Sequence, residues 1–203
     1  VELSTWHEVS AAVAEAPYPV EVLPADPRRA ASCLAALGIT AGSWLGGVVA
    51  NSGGLLVDHG WLRVLGGGHG LLPDVVAESD PSTGLLVVGH DVLGGRYAWL
   101  RTRPDVRPSV HYFGPDELGW LDLERGYGEW LGAVLGGALT AFYENLRWPG
   151  WEREVAALAL DEGISAVPPP FTAEGRDLAA VSRRAVALRE LVSFYAETGR
   201  QLG

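Results

Sequence analysis

The sequence predicts an α+β fold: a single central, largely antiparallel sheet of about six strands, flanked by N-terminal and C-terminal helices. Three observations lead to it. Apolar residues recur at helical spacing early in the chain, glycine-punctuated apolar runs fill the middle, and helical spacing returns at Tyr127. Helices and strands are thus segregated along the chain instead of alternating, and the strands follow one another through short turns. Short turns join antiparallel neighbours, whereas parallel ones need long crossovers.

Each element has its own signal. Trp6, Val9, Ala12, Val13 and Ala16 trace one helical face, with Ser4 or Thr5 available to cap it. Pro17 and Pro19 end that helix and force an extended link, PYPVEVLP. A second helix starts at Asp26 as cap and Pro27 as first helical residue, and Gly38 closes it. Residues 44–50 then read as a strand, 51–54 as a hairpin turn and 55–58 as the return strand. Residues 61–65 extend the meander, 66–70 break it, and 71–84 form a loop. Residues 85–89 are apolar on both faces, as a covered central strand requires. Strands follow at 96–100 and 110–113, with an edge strand at 119–123.

Tyr127, Trp130, Leu131, Val134 and Leu135 occupy i, i+3, i+4, i+7 and i+8, an amphipathic helix that Gly136-Gly137 interrupts. Leu139, Phe142, Tyr143 and Leu146 continue the pattern, Pro149-Gly150 turns a corner, and Trp151, Val155 and Leu158 open another helix. Pro168–Pro170 is a rigid spacer. Leu178, Val181, Ala185, Leu188, Leu191, Val192 and Tyr195 then predict one long final helix. The whole reads as one α+β domain over 1–203, with a core at 1–167 and a C-terminal helical extension at 168–203. That extension packs on the core or makes a homodimer contact.

Composition narrows the function classes. The formal charge of −10, with arginine as the sole source of positive side chains, argues against a nucleic-acid partner. No apolar run approaches the roughly 20 residues that cross a bilayer. The opening VELSTWHEV lacks a basic stretch followed by an apolar one, so the cytoplasm is the expected location. Cys33 is the single cysteine; among Ala31, Leu34 and Leu37 it reads as a buried small hydrophobe.

The concentrated polar chemistry lies at strand ends: Asp58, His59, His69, His90 and Asp91. Mixed imidazole and carboxylate groups hold zinc or iron when they converge. None of the diagnostic spacings is present, neither HExxH nor two histidines one helical turn apart. The preferred reading is that Asp58 and Asp91 accept turn hydrogen bonds and the histidines sit at strand ends. No G-x-S-x-G elbow supplies a nucleophile. Gly66-Gly67-Gly68 lacks the Lys-Ser/Thr of a phosphate loop and reads as a tight turn. Asp116-Glu117 and Asp122/Glu124 are acid pairs that need a cleft to act as acid and base. Of the tryptophans, Trp6, Trp130 and Trp151 read as core, whereas Trp44, Trp61, Trp99 and Trp120 fall in strands, where core packing is the default and some could line an exposed face.

The motifs GHDVLGGRYAWL, VHYFGPDELGW and LDLERGY, leading into the helix with Tyr127 and Trp130, resemble the SUKH superfamily. Over residues 19–160, PVEVLP, GGLLVDHGWLRVLGGGH, VGHDVLGG and FYENLRWPGWEREV resemble an uncharacterised bacterial domain-of-unknown-function family. The SUKH resemblance implies an α+β protein-binding module without catalytic residues or cofactor, of the kind that neutralises basic toxin domains. Contacts are then expected at Asp58, His59, Trp61, His69, His90, Asp91, Arg96, Asp116, Glu117, Asp122 and Glu124. The competing expectation is a small enzyme or metal-binding protein using Asp58, His59, His69, His90 and Asp91.

Overall fold

The computed structural model describes residues 4–80, 82, 84–100, 102 and 105–202. Ser4 caps α1 (Thr5–Ala14) by accepting from the His7 N–H. Asp26 caps α2 (Pro27–Leu37) by accepting from Arg28 and Arg29, and Gly38 ends it in the left-handed conformation. The proline-bounded link between them carries β1 (Val20–Leu23), an outer strand of the sheet.

Residues 44–50, expected as a strand, are helical: α3 spans Trp44–Asn51, capped by the Ser43 hydroxyl. Its glycines explain the misreading, because Gly and Val argue against a helix by propensity. Gly46 is there for packing, since a Cβ on it would fall 1.8 Å from the Thr40 carbonyl oxygen. The expected hairpin between 44–50 and 55–58 therefore does not exist. β2 (Gly54–Val57) pairs instead with β1 and with β3 (Leu62–Leu65).

Beyond β3 the readings of the middle of the chain hold. β4 (Leu86–Asp91), β5 (Arg96–Leu100), β6 (Ser109–Phe113) and β7 (Trp120–Asp122) complete a seven-stranded sheet in sequential order, antiparallel throughout. β4 is its middle strand, and β7 its second outer strand. One face carries α4 (Tyr127–Ala133), packed on β6, with α3 against α4 and α1 against α3. A π-type turn (Val134–Ala138), in which Gly137 has φ 104°, leads from α4 into the short α5 (Leu139–Phe142). Trp130, Leu131, Leu135 and Tyr143 are buried in that layer. After the corner at Gly150 comes α6 (Trp151–Ala156).

The expected single long helix at the C-terminus is a strand followed by a helix. β9 (Ser182–Ala187) pairs antiparallel with β8 (Glu162–Val167), and α7 (Leu188–Leu202) follows directly. α7 lies on the opposite face of the sheet, where Leu188, Leu191 and Tyr195 bury against Phe113. The run SRRAVA is three polar residues followed by three apolar ones, so it carries no strand alternation of its own, and Ala185 fits the helical repeat that leads into Leu188; pairing with β8 makes it a strand.

Candidate functional site

The residues singled out from the sequence fall into four environments. Asp58 and His59 sit in the β2–β3 turn with φ of 53° and 59°, followed by Gly60 at 84°. Asp58 accepts from the Arg147 guanidinium at 2.6 Å, and both side chains are nearly buried. That guanidinium lies over the Trp61 and Trp151 rings at 4.9 and 4.2 Å. His59 packs edge-on to Trp151 at 5.7 Å. Trp61 is completely buried. This cluster fastens the turn to the segment around α6.

His69 contacts the Pro24 carbonyl oxygen through Nδ1 at 3.2 Å, beside the start of α2. Asp91 is fully buried at the end of β4. Its Oδ1 accepts from the Leu93 and Gly95 N–H groups, and its Oδ2 from the Tyr112 and Tyr143 hydroxyls at 2.7 and 2.9 Å. Tyr97 extends the network through a 2.7 Å contact with the Tyr143 hydroxyl. Burial pushes the Asp91 carboxyl above its ordinary value, and does the same to all three phenols.

His90 is adjacent to Asp91 in β4 and so points to the other face. There it is a register partner of Arg63 on one side and Arg96 on the other. Its Nε2 lies 2.9 Å from a Glu78 carboxylate oxygen. That hydrogen bond, with the Arg96 charge nearby, holds Glu78 below its ordinary value. Arg63 is buried and donates to the carbonyl oxygens of Leu160 and Glu162; burial lowers its pKa to about 10. Asp58, His69, His90 and Asp91 thus serve separate partners. Among the described residues, no group of three or more His, Cys, Asp or Glu side chains is arranged to hold a metal ion.

The row continues outward. Arg96 pairs with Phe113, and Phe113 with Trp120. The Arg96 guanidinium stands 5.3 Å from the Phe113 ring and 5.4 Å from that of Trp120. β7 is exposed along its whole length: Trp120 is 40% and Leu121 56% accessible. A hollow of about 130 Å³ is lined by Asp116, Glu117, Leu121 and Phe142, so the acidic loop and the apolar side chains meet at this edge. Burial raises the Asp116 carboxyl above its ordinary value. The Glu124 N–H bonds to Asp122 at 2.8 Å and holds that carboxylate below its own. Leu118 and Glu124, on either side of β7, have φ of 54° and 55°, a conformation uncommon outside glycine.

Five of the residues expected as contacts, Arg96, Asp116, Glu117, Asp122 and Glu124, therefore gather around one exposed strand. Asp58, His59, Trp61, His69, His90 and Asp91 do not join them; His90 is paired with Glu78 instead. Sequence reasoning missed Glu78, which a loop returns to His90 across twelve positions. It also missed Leu121 and Phe142; alternation within LGWLDL offered a signal for the first. Cys33 is buried as expected, and burial pushes its thiol up to about 11.

No solved structure matches the chain. An uncharacterized protein of Escherichia coli strain K12, YbfG, is 36% identical over 173 residues, which cover 82% of this chain and 80% of that protein. An uncharacterized protein of Haemophilus influenzae strain Rd is 31% identical over 167 residues, covering 77% of this chain and 73% of its own length. The model of the family described as "Protein of unknown function DUF2625" matches residues 1–191, and the chain belongs to that bacterial family.

Proposed function

We propose that the protein is a non-enzymatic, protein-binding module of SUKH type. In this reading it engages a basic polypeptide, such as a toxin domain that it neutralises by covering, and β7 is the point of attachment. The observation that carries the reading is an exposed outer strand with Trp120, Leu121 and Phe142 at its surface and four carboxylates around it. An outer strand offers unpaired N–H and C=O groups to an extended segment, and pockets beside it select side chains. Short, charged outer strands also protect a protein from pairing with its own copies. Here both effects agree, because the acidic rim repels a second copy and attracts a basic partner. The backbone at Leu118 and Glu124 points the same way, since uncommon conformations concentrate at working surfaces.

The test compares baits. Wild-type protein and the Leu121→Arg and Asp116→Arg/Asp122→Arg variants are used to capture proteins from the source organism at low salt. A basic protein retained by the wild type, lost from both variants and released at about 1 M salt, where screening acts over about 3 Å, supports the reading. Equal retention on all three baits, or none on the wild type, overturns it.

A further inference from the structure

On the face of the sheet beneath α7 lies a groove of about 520 Å³ that shares no lining residue with the β7 edge. Its polar lining residues include Glu78, His90, Asp161 and Arg189, and Leu71 and Val192 are among its apolar ones. The volume is that of a small-molecule cleft, which commonly spans about 300–1,000 Å³. Leu71 is 64% exposed, so a large apolar side chain is left in water at the groove.

The lining carries both signs of charge on fixed supports. Glu78 is held as a carboxylate by its hydrogen bond to His90. Asp161 is positioned by its own main chain, whose carbonyl oxygen accepts from the Leu188 N–H at 2.8 Å. That bond takes the first N–H of the fifteen-residue α7. The next two, of Arg189 and Glu190, have no acceptor within the helix, and they carry the positive end of its dipole. Arg189, the second residue of that helix, also lines the groove. His90 adds a further polar group: the residue is 3% exposed, and its Nδ1 is buried without a hydrogen-bond partner among the described residues.

A simple anion entering the groove would meet two carboxylates, and a simple cation would meet Arg189 and the helix N-terminus. A small molecule with an anionic end, a cationic end and an apolar body meets neither penalty. We propose that this groove binds a free α-amino acid. Its carboxylate lies against Arg189 and the first turn of α7, its ammonium group against Glu78 and Asp161, and its side chain against Leu71 and Val192. The site is independent of the β7 edge and of any protein partner there.

The test uses the full chain and, singly, each of the twenty common L-amino acids, followed by calorimetry on those that raise the melting temperature. At least one is expected to bind with Kd on the order of 1 mM or tighter. Its N-acetyl and carboxamide derivatives, each lacking one charge, are expected to bind at least about tenfold more weakly. Arg189→Gln and Asp161→Asn should each lower affinity by a similar factor, and Arg189 is exposed, so its variant should melt with the wild type when unliganded. Absence of binding by all twenty, or unchanged affinity for the N-acetyl and carboxamide forms, overturns the proposal. So does unchanged affinity in both variants.

Discussion

The Asp91 carboxylate accepts two N–H and two O–H hydrogen bonds while excluded from water, so it joins the β4–β5 turn to β6 and to the end of α5. A single side chain thereby fixes Tyr112 and Tyr143, whose rings form part of the wall behind Phe142. Removing it leaves the Leu93 and Gly95 N–H groups without an acceptor in a dry interior, each at a cost of about 1–3 kcal/mol. Asp91→Ala is therefore expected to lower stability by at least about 2 kcal/mol, read as a shift of the urea midpoint at constant slope. Asp91→Asn keeps one oxygen for the two N–H groups, and the tyrosine hydroxyls can turn to accept from its amide. Its cost should be well below that of the alanine variant. Equal losses would mean that the negative charge, and not the bonding pattern, holds this corner.

At the level of elements, packing decides where local preference fails. Gly→Ala inside a helix ordinarily stabilises by about 0.5–1 kcal/mol. In α3 the sign should reverse at Gly46, because the new methyl would fall 1.8 Å from the Thr40 carbonyl oxygen, which is backbone and cannot swing aside. Gly46→Ala should cost about 1–3 kcal/mol, the usual range for overpacking. Gly132→Ala in α4 is the control: its nearest neighbour would be the Trp44 ring at 3.8 Å, an ordinary contact, so that variant should gain stability. Thermal unfolding of the pair checks both signs. The same competition explains what could be read in advance. β5, β6 and β7 were legible because strand-forming runs, turn residues and tertiary pairing agree there, and β4 because a run apolar on both faces marks a covered central strand. α3 was not, because LGGVVA favours a strand locally and becomes a helix through close approach to Thr40. β9 was not, because SRRAVA lacks strand alternation and becomes a strand only with β8 beside it. The acidic side chains around β7 were visible in DELGWLDLE, but their meeting with Phe142 depends on how α5 crosses the sheet. The Glu78–His90 pair depends likewise on the path of a loop.

Taken as a whole, the molecule is one antiparallel meander clad on both faces, and the second cladding comes from the C-terminal part of the chain. Beneath α7, Gly94 and Gly163 permit close approach: a Cβ on Gly94 would lie 2.8 Å from the Leu191 Cβ, and one on Gly163 would lie 2.6 Å from the Val92 carbonyl oxygen. Ile164 donates its N–H to that oxygen, tying β8 to the β4–β5 turn. The sequence suggested a core ending at residue 167, yet every residue of β8 pairs with β9 on the far side of that boundary. A chain ending at Val167 would strip β8 of its partner strand. It would also remove Leu188, Leu191 and Tyr195 from the cover over Phe113. Burying a large apolar side chain contributes about 1.5–3 kcal/mol, so the loss should be about 5 kcal/mol or more. For a chain of this size that corresponds to a fall in melting temperature of at least about 10 °C. The truncated protein should also bind a hydrophobic dye through the exposed sheet face, which the full chain should not. A truncated form that melts within about 2 °C of the full chain would show instead that the last segment is an appendage to a self-sufficient sheet.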